Sequence, residues 1–122
     1  MIQEAYVSFE TAKLLKEKGF DVHGDGSYGS GIKVYWEYSP FGKLRDCSTS
    51  SPSEKAYPAP SQALAMRWLR EVHNLHIIID YSIPYKMYAF DISEDSLIDS
   101  FIYETYEEAV ETAIKYCLEN LI

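Results

Sequence analysis

The C-terminal stretch constrains the fold more than any other part of the chain. Thr105, followed three residues later by Glu108, forms a capping box, and Ala109, Val110, Ala113, Ile114, Cys117, Leu118 and Leu121 then recur at helical spacing. This predicts an amphipathic helix over 106–120 whose apolar stripe must be buried against a second layer. Two further helices are expected. Ser8 caps a run over 9–18 in which Phe9, Ala12 and Leu15 share a face, Gly19 supplies the left-handed C′ position, and Phe20 closes back on Leu15. Ser61 caps a helix over 62–73 with Leu64, Ala65, Trp68, Leu69 and Val72 as its stripe, and Asn74 supplies its C′ position.

The second layer reads as sheet. Ile32, Val34, Trp36 and Tyr38 alternate with Lys33, Tyr35 and Glu37, the period-two signature of a strand. With the short apolar Phe20-Asp21-Val22 it predicts a hairpin across the segment 23–31, a loop holding four of the six glycines. Leu75 to Tyr81 and Tyr85 to Ile92 predict a second hairpin turning through Ser82-Ile83-Pro84, and Ser100 to Glu104 one more strand. Ser39 to Pro60, with four prolines, five serines and little periodicity, reads as a long irregular loop tacked down by Phe41, Leu44 and Tyr57. The order αββαββ(β)α places the chain in the α+β class, a single domain with three helices on a mainly antiparallel sheet of four to five strands.

Composition narrows the function classes. The 122 residues are one domain's worth, and 47% hydrophobic with 15% aromatic content excludes intrinsic disorder. Nineteen acidic against eleven basic side chains give a net charge of −8, a field that repels phosphate and argues against nucleic acid or an anionic membrane as partner. The start of the chain lacks a basic n-region with an apolar core, and no apolar run approaches the ~20 residues of a membrane span, so a cytoplasmic protein is expected. Two cysteines, Cys47 and Cys117, are too few and too far apart for a disulfide framework or a zinc knuckle.

Several motifs invite chemistry and are outweighed by simpler readings. Gly24, Gly26 and Gly29 spell G-x-G-x-x-G, but the pattern runs into a strand where a dinucleotide fingerprint must open a helix, so a hairpin loop is expected and no cofactor is assigned. His73, His76 and Asp80 have loose metal-ligand spacing that straddles a helix end; His73 is favoured there by the helix dipole, and no metal is assigned. Cys47 has no protease-type signature around it, and Cys117 lies on the apolar stripe as a packing residue. Glu104, Glu107, Glu108, Glu111 and Glu119 read as a solvated helix face, or as an acidic surface that docks a basic partner in the manner of a nucleic-acid mimic.

The segment Tyr57-Pro58-Ala59-Pro60-Ser61-Gln62-Ala63-Leu64 running into Trp68-Leu69-Arg70-Glu71-Val72-His73, with Tyr103-Glu104-Thr105-Tyr106-Glu107-Glu108-Ala109, resembles small uncharacterised proteins encoded by phages and mobile elements of gut bacteria. The resemblance implies a biological setting. It implies no activity, cofactor or site residue.

The sheet supplies the candidate site. If Ile32, Val34, Trp36, Ile77, Ile79, Tyr85, Met87 and Ala89 face the helices, the other face carries Lys33, Tyr35, Glu37, His76, Ile78, Asp80, Lys86, Tyr88 and Phe90. Tyr35, Ile78, Tyr88 and Phe90 would then form an aromatic binding surface for a protein partner or a second copy. The expectation is a non-enzymatic protein-interaction module. The alternative is a small hydrolase-like enzyme using His23, His73 or His76 as acid or base in a loop-lined pocket, and a third class is a particle component that assembles beyond a dimer.

Overall fold

The computed structural model describes residues 4–20, 27, 28, 32–34, 36–47, 55–93, 97, 98 and 101–122. Its three helices are α1 (Phe9–Glu17), α2 (Gln62–His73) and α3 (Tyr106–Asn120). Each N-terminus is capped as the side chains dictate: Ser8, Ser61 and Thr105 accept the backbone N–H groups of Thr11, Leu64 and Glu108. At α3 the box is displaced by one residue, because the Glu108 carboxylate accepts the N–H of Glu104 at 3.3 Å. α1 ends in a full Schellman motif, with Gly19 at φ +104°, the Phe20 N–H on the Leu15 carbonyl at 2.8 Å and the Gly19 N–H on the Lys16 carbonyl at 3.2 Å. α2 ends at Asn74, φ +55°, where the Leu69 carbonyl accepts the N–H groups of both Asn74 and Leu75.

The core is built where these helices meet. Val110, Ala113, Ile114, Cys117 and Leu118 of α3 pack with Ala12 and Leu15 of α1, Ala65, Trp68 and Leu69 of α2, and Phe20, Phe90 and Ile92. Each fully buried Leu, Ile or Phe contributes roughly 1.5–3 kcal/mol. Val72, expected on the α2 stripe, is exposed, since the chain turns away at Asn74 and nothing covers the last turn on that side among the described residues.

The described strands form three antiparallel ladders in place of one sheet of four to five strands. β1 (Ser27–Tyr28) pairs with β2 (Ile32–Lys33), so the Gly-rich segment contains a strand of its own. Phe20 belongs to the core and to no strand, and Asp21 and Val22 lie outside the described residues. β3 (Trp36–Tyr38) is the centre of the second ladder, between β4 (Leu44–Asp46) and β5 (Tyr57–Pro58). The segment 39–60 is therefore in part sheet. Phe41 in its tight turn and Leu44 at the start of β4 are exposed, and Tyr57 alone of the three expected anchors packs inward, edge-on to Phe9 at 5.8 Å. Glu37, expected on the open face, is buried, and Arg45, directly opposite it on β4, meets its carboxylate at 2.6 Å.

The third ladder joins β6 (Ile77–Ser82), β7 (Met87–Ile92) and β8 (Leu97–Ile98) in that order, with a further bridge from Tyr88 to Tyr103. The strand expected over 100–104 is thus represented by β8 upstream and by that single bridge. The β6–β7 turn spans four residues, Ile83 to Lys86, with Lys86 at φ +54°, where a three-residue turn was expected. One additional residue reverses the parity of the pairing. Ile77, Ile79 and Tyr81 stand opposite Ile92, Phe90 and Tyr88, so Tyr88, Phe90 and Ile92 share the helix-facing side, and Met87 and Ala89 belong to the other.

Candidate functional site

That reversal dismantles the expected aromatic face. Phe90 is 3% exposed in the core, tilted against Tyr103 and Tyr116, and Tyr88 is half-buried on the same side. Ile78 is half-exposed on the opposite face, between the exposed His76 and Asp80. Tyr35 lies outside the described residues. Tyr85, expected to face the helices, sits exposed in the turn.

A different apolar surface appears at the end of the β6–β7 hairpin. α3 covers the sheet from Ile77 and Ile92 to Ile79 and Phe90, and its first residue, Tyr106, lies level with Tyr88. Beyond that point the hairpin overhangs the helix. Tyr81 packs on Tyr88 across the strands with ring centroids at 4.7 Å, and Tyr88 meets Tyr106 edge-on at 6.1 Å and 85°. The turn extends this row into solvent with Ile83 at 78% and Tyr85 at 75% exposure. Ile102, beside the Tyr88–Tyr103 bridge, is exposed as well. Glu104, Glu107 and Glu108, all exposed, flank Tyr106 in sequence and make the start of α3 acidic, and Glu107 and Glu108 also line a neighbouring cleft. The turn length that aligns Tyr81 with Tyr88 left no mark in the sequence; the visible signal was Ile83 and Tyr85 flanking Pro84, large apolar residues where turns are ordinarily polar.

A second feature is a cleft of about 380 Å³ between the N-terminus of α1 and α3, lined by Tyr6, Ser8, Tyr38, Gln62, Glu108 and Glu111 among others. Its centre is the Glu111 carboxylate. It accepts the N–H of Ser8 at 3.3 Å, the Ser8 hydroxyl at 3.0 Å, the hydroxyl of the fully buried Thr11, and the Gln62 amide at 3.5 Å. The Ser8 hydroxyl is likewise engaged, accepting from Thr11 N–H while it donates to Glu111. Among the described residues no histidine lines this cleft. Carboxylate and hydroxyl are held in a set of hydrogen bonds that fixes α1 on α3.

Of the histidines expected to do acid–base work, the two described ones, His73 and His76, have different surroundings. His73 turns inward against Trp68, ring centroids 4.6 Å apart, with its Nε2 buried and without a hydrogen-bond partner among the described residues. His76 is exposed and shares a hydrogen bond with the Asn74 side chain at 3.2 Å. His23 and the glycines of the G-x-G-x-x-G run lie outside the described residues. Cys47 and Cys117 are both buried; burial foremost, and the nearby Glu37 carboxylate after it, push the Cys47 thiol above its ordinary range. Among the described residues no group of three or more His, Cys, Asp or Glu side chains is placed to hold a metal ion, and no helix is long and apolar enough to cross a membrane.

No family model matches the chain, and neither a curated protein nor a solved structure matches it. Function rests on the site itself.

Proposed function

We propose that the chain is a non-enzymatic protein-interaction module that docks a Lys- or Arg-bearing protein segment on the overhanging end of the β6–β7 hairpin. The observation that carries this reading is the row Tyr81, Tyr88, Tyr106, continued into solvent by Ile83 and Tyr85. Large rings and branched aliphatics left in water beyond the reach of α3 are the composition of an interface centre, and tyrosine faces also attract cations. The acidic start of α3 at Glu104, Glu107 and Glu108 and the net charge of −8 select a basic partner and disfavour nucleic acid. A cytoplasmic setting in a phage or mobile element, supported by the resemblance of the α2 and α3 segments, belongs to the same proposal.

An array of immobilised 15-residue peptides of graded charge tests it. Wild-type protein is expected to select peptides that combine Lys or Arg with apolar residues, and Ile83→Asp or Tyr85→Ala to weaken that binding about tenfold or more. Both side chains are exposed, so neither change should alter the circular dichroism. Equal binding by wild type and variants, or selection of acidic peptides, overturns the reading.

A further inference from the structure

The hairpin has a second unpartnered feature, independent of its aromatic end. β6 is the edge of its ladder, with β7 on one side and, among the described residues, no strand on the other. The hydrogen-bond pattern shows which groups that edge offers. Ser93 donates to the His76 carbonyl at 3.1 Å, and Tyr88 and Tyr103 exchange both of their backbone bonds on the far side of β7. Antiparallel pairs alternate between bonded and non-bonded, so His76, Ile78 and Asp80 bond towards β7, whereas Ile77, Ile79 and Tyr81 turn their N–H and C=O groups outward. Protein edges are ordinarily guarded by lysine, proline or a bulge; Ile77–Ser82 has none of these among its residue types and carries one charge, Asp80.

We propose that this edge pairs with the β6 of a second copy, antiparallel about a twofold axis at Ile78. The outward amides restrict the register: odd residues must meet odd residues, so the axis falls on a residue of the strand. Charge then chooses among the allowed axes. An axis at Asp80 opposes two carboxylates, and an axis at Ile79 leaves each Asp80 against an isoleucine. An axis at Ile78 sets Asp80 opposite the His76 of the second copy, twice by symmetry, and closes the two half-exposed Ile78 side chains on each other. Ile77 and Ile79 then exchange backbone bonds with Ile79 and Ile77 of the other copy, and the ladders join into one six-stranded sheet, three strands from each. Because the strands run antiparallel, the two aromatic hairpin ends point in opposite directions and stay open. Docking of a basic segment and self-pairing are therefore separable.

The register makes the test specific. Directly opposed, non-bonded residues have Cα atoms about 4.5 Å apart, within reach of a disulfide. Ile78→Cys protein treated with diamide is expected to give a covalent dimer. Asp80→Cys, whose thiols would lie roughly 13 Å apart at four residues' separation, is expected to remain mostly monomeric, as is wild type, whose two cysteines are buried. Without oxidant, light scattering at high concentration should show wild type rising above 14.0 kDa and Ile78→Lys, which opposes two cations on the axis, staying there. Ile78 is half-exposed, so these variants are expected to fold. Cross-linking of Ile78→Cys no greater than that of Asp80→Cys overturns the proposal, as does a wild type that stays at the monomer mass, and neither result bears on peptide binding at the hairpin end.

Discussion

Glu111, on the second turn of α3, serves as a tertiary cap for α1 by accepting the backbone N–H of Ser8 with both carboxylate oxygens at 3.3 Å. A negative group at a helix N-terminus is favoured by the dipole, and here it also satisfies the hydroxyl of Thr11, which has no access to water. Glu111→Ala removes that hydroxyl's carboxylate acceptor, leaves it only the Ser8 hydroxyl at 3.1 Å, and frees the start of α1. The expected loss is about 2 kcal/mol, with Glu111→Gln losing about half as much because an amide oxygen remains to accept. Urea unfolding reads both, and an unchanged midpoint for Glu111→Ala would remove the cap from any account of stability.

Tyr38 reports on the same junction from the sheet. Its hydroxyl donates to the Val7 carbonyl at 2.8 Å, and burial, followed by the Glu111 carboxylate, pushes its ionisation above the ordinary tyrosine range. A folded-state value raised above the unfolded one contributes stability that is complete below the unfolded value and is lost as pH rises through the folded one. Tyr38→Phe is therefore expected to cost about 1 kcal/mol at neutral pH. The gap to wild type should narrow above pH ~10. Chemical denaturation from pH 7 to 11 checks the direction, and a gap that widens with pH contradicts it.

The two described glycines with positive φ differ in what surrounds them. Gly19, φ +104°, has open space where a Cβ would stand, whereas at Gly42, φ +86°, a Cβ would lie 3.1 Å from the Phe9 ring. That ring is held between Tyr38 and Tyr57, so it has little freedom to yield. Gly19→Ala should cost about 1 kcal/mol from backbone conformation alone. Gly42→Ala should cost about 1 kcal/mol more, because the contact adds to the strain. Thermal melts of the pair decide it: equal losses would mean the Phe9 contact is soft.

What the sequence disclosed follows from how local the deciding physics is. The helices were legible to within a residue because Ser8, Ser61 and Thr105 act on groups three residues away, and the buried set of α3 is the one its periodicity marks. Strand pairing was less legible. Lys86 adopts a left-handed conformation that its side chain does nothing to announce, and the four-residue turn it completes moved Phe90 from the expected binding face into the core. Glu37 misled for a related reason: a carboxylate at a period-two position signals solvent unless another strand brings an Arg45 to it. The aromatic end at Tyr81, Tyr88 and Tyr106 depends on how far a helix reaches along a sheet, a length that no local pattern encodes.

The environment of Cys47 allows one chemical reading to be tested directly. Its Sγ lies 3.9 Å from the Val34 carbonyl, and burial together with the Glu37 carboxylate disfavours the thiolate, with Arg45 opposing in part. The thiolate is the nucleophile in every covalent mechanism a cysteine supports. Cys47 is therefore expected to react with a disulfide reagent at pH 8 roughly 100-fold more slowly than a free thiol. Both cysteines should reach the free-thiol rate in denaturant, since Cys117 is fully enclosed by the core. Arg45→Met removes the opposing cation and should slow Cys47 further if the fold is retained. A fast-reacting Cys47 in the native protein would instead mean that the β3–β4 edge opens readily, and would return this residue to consideration as a nucleophile.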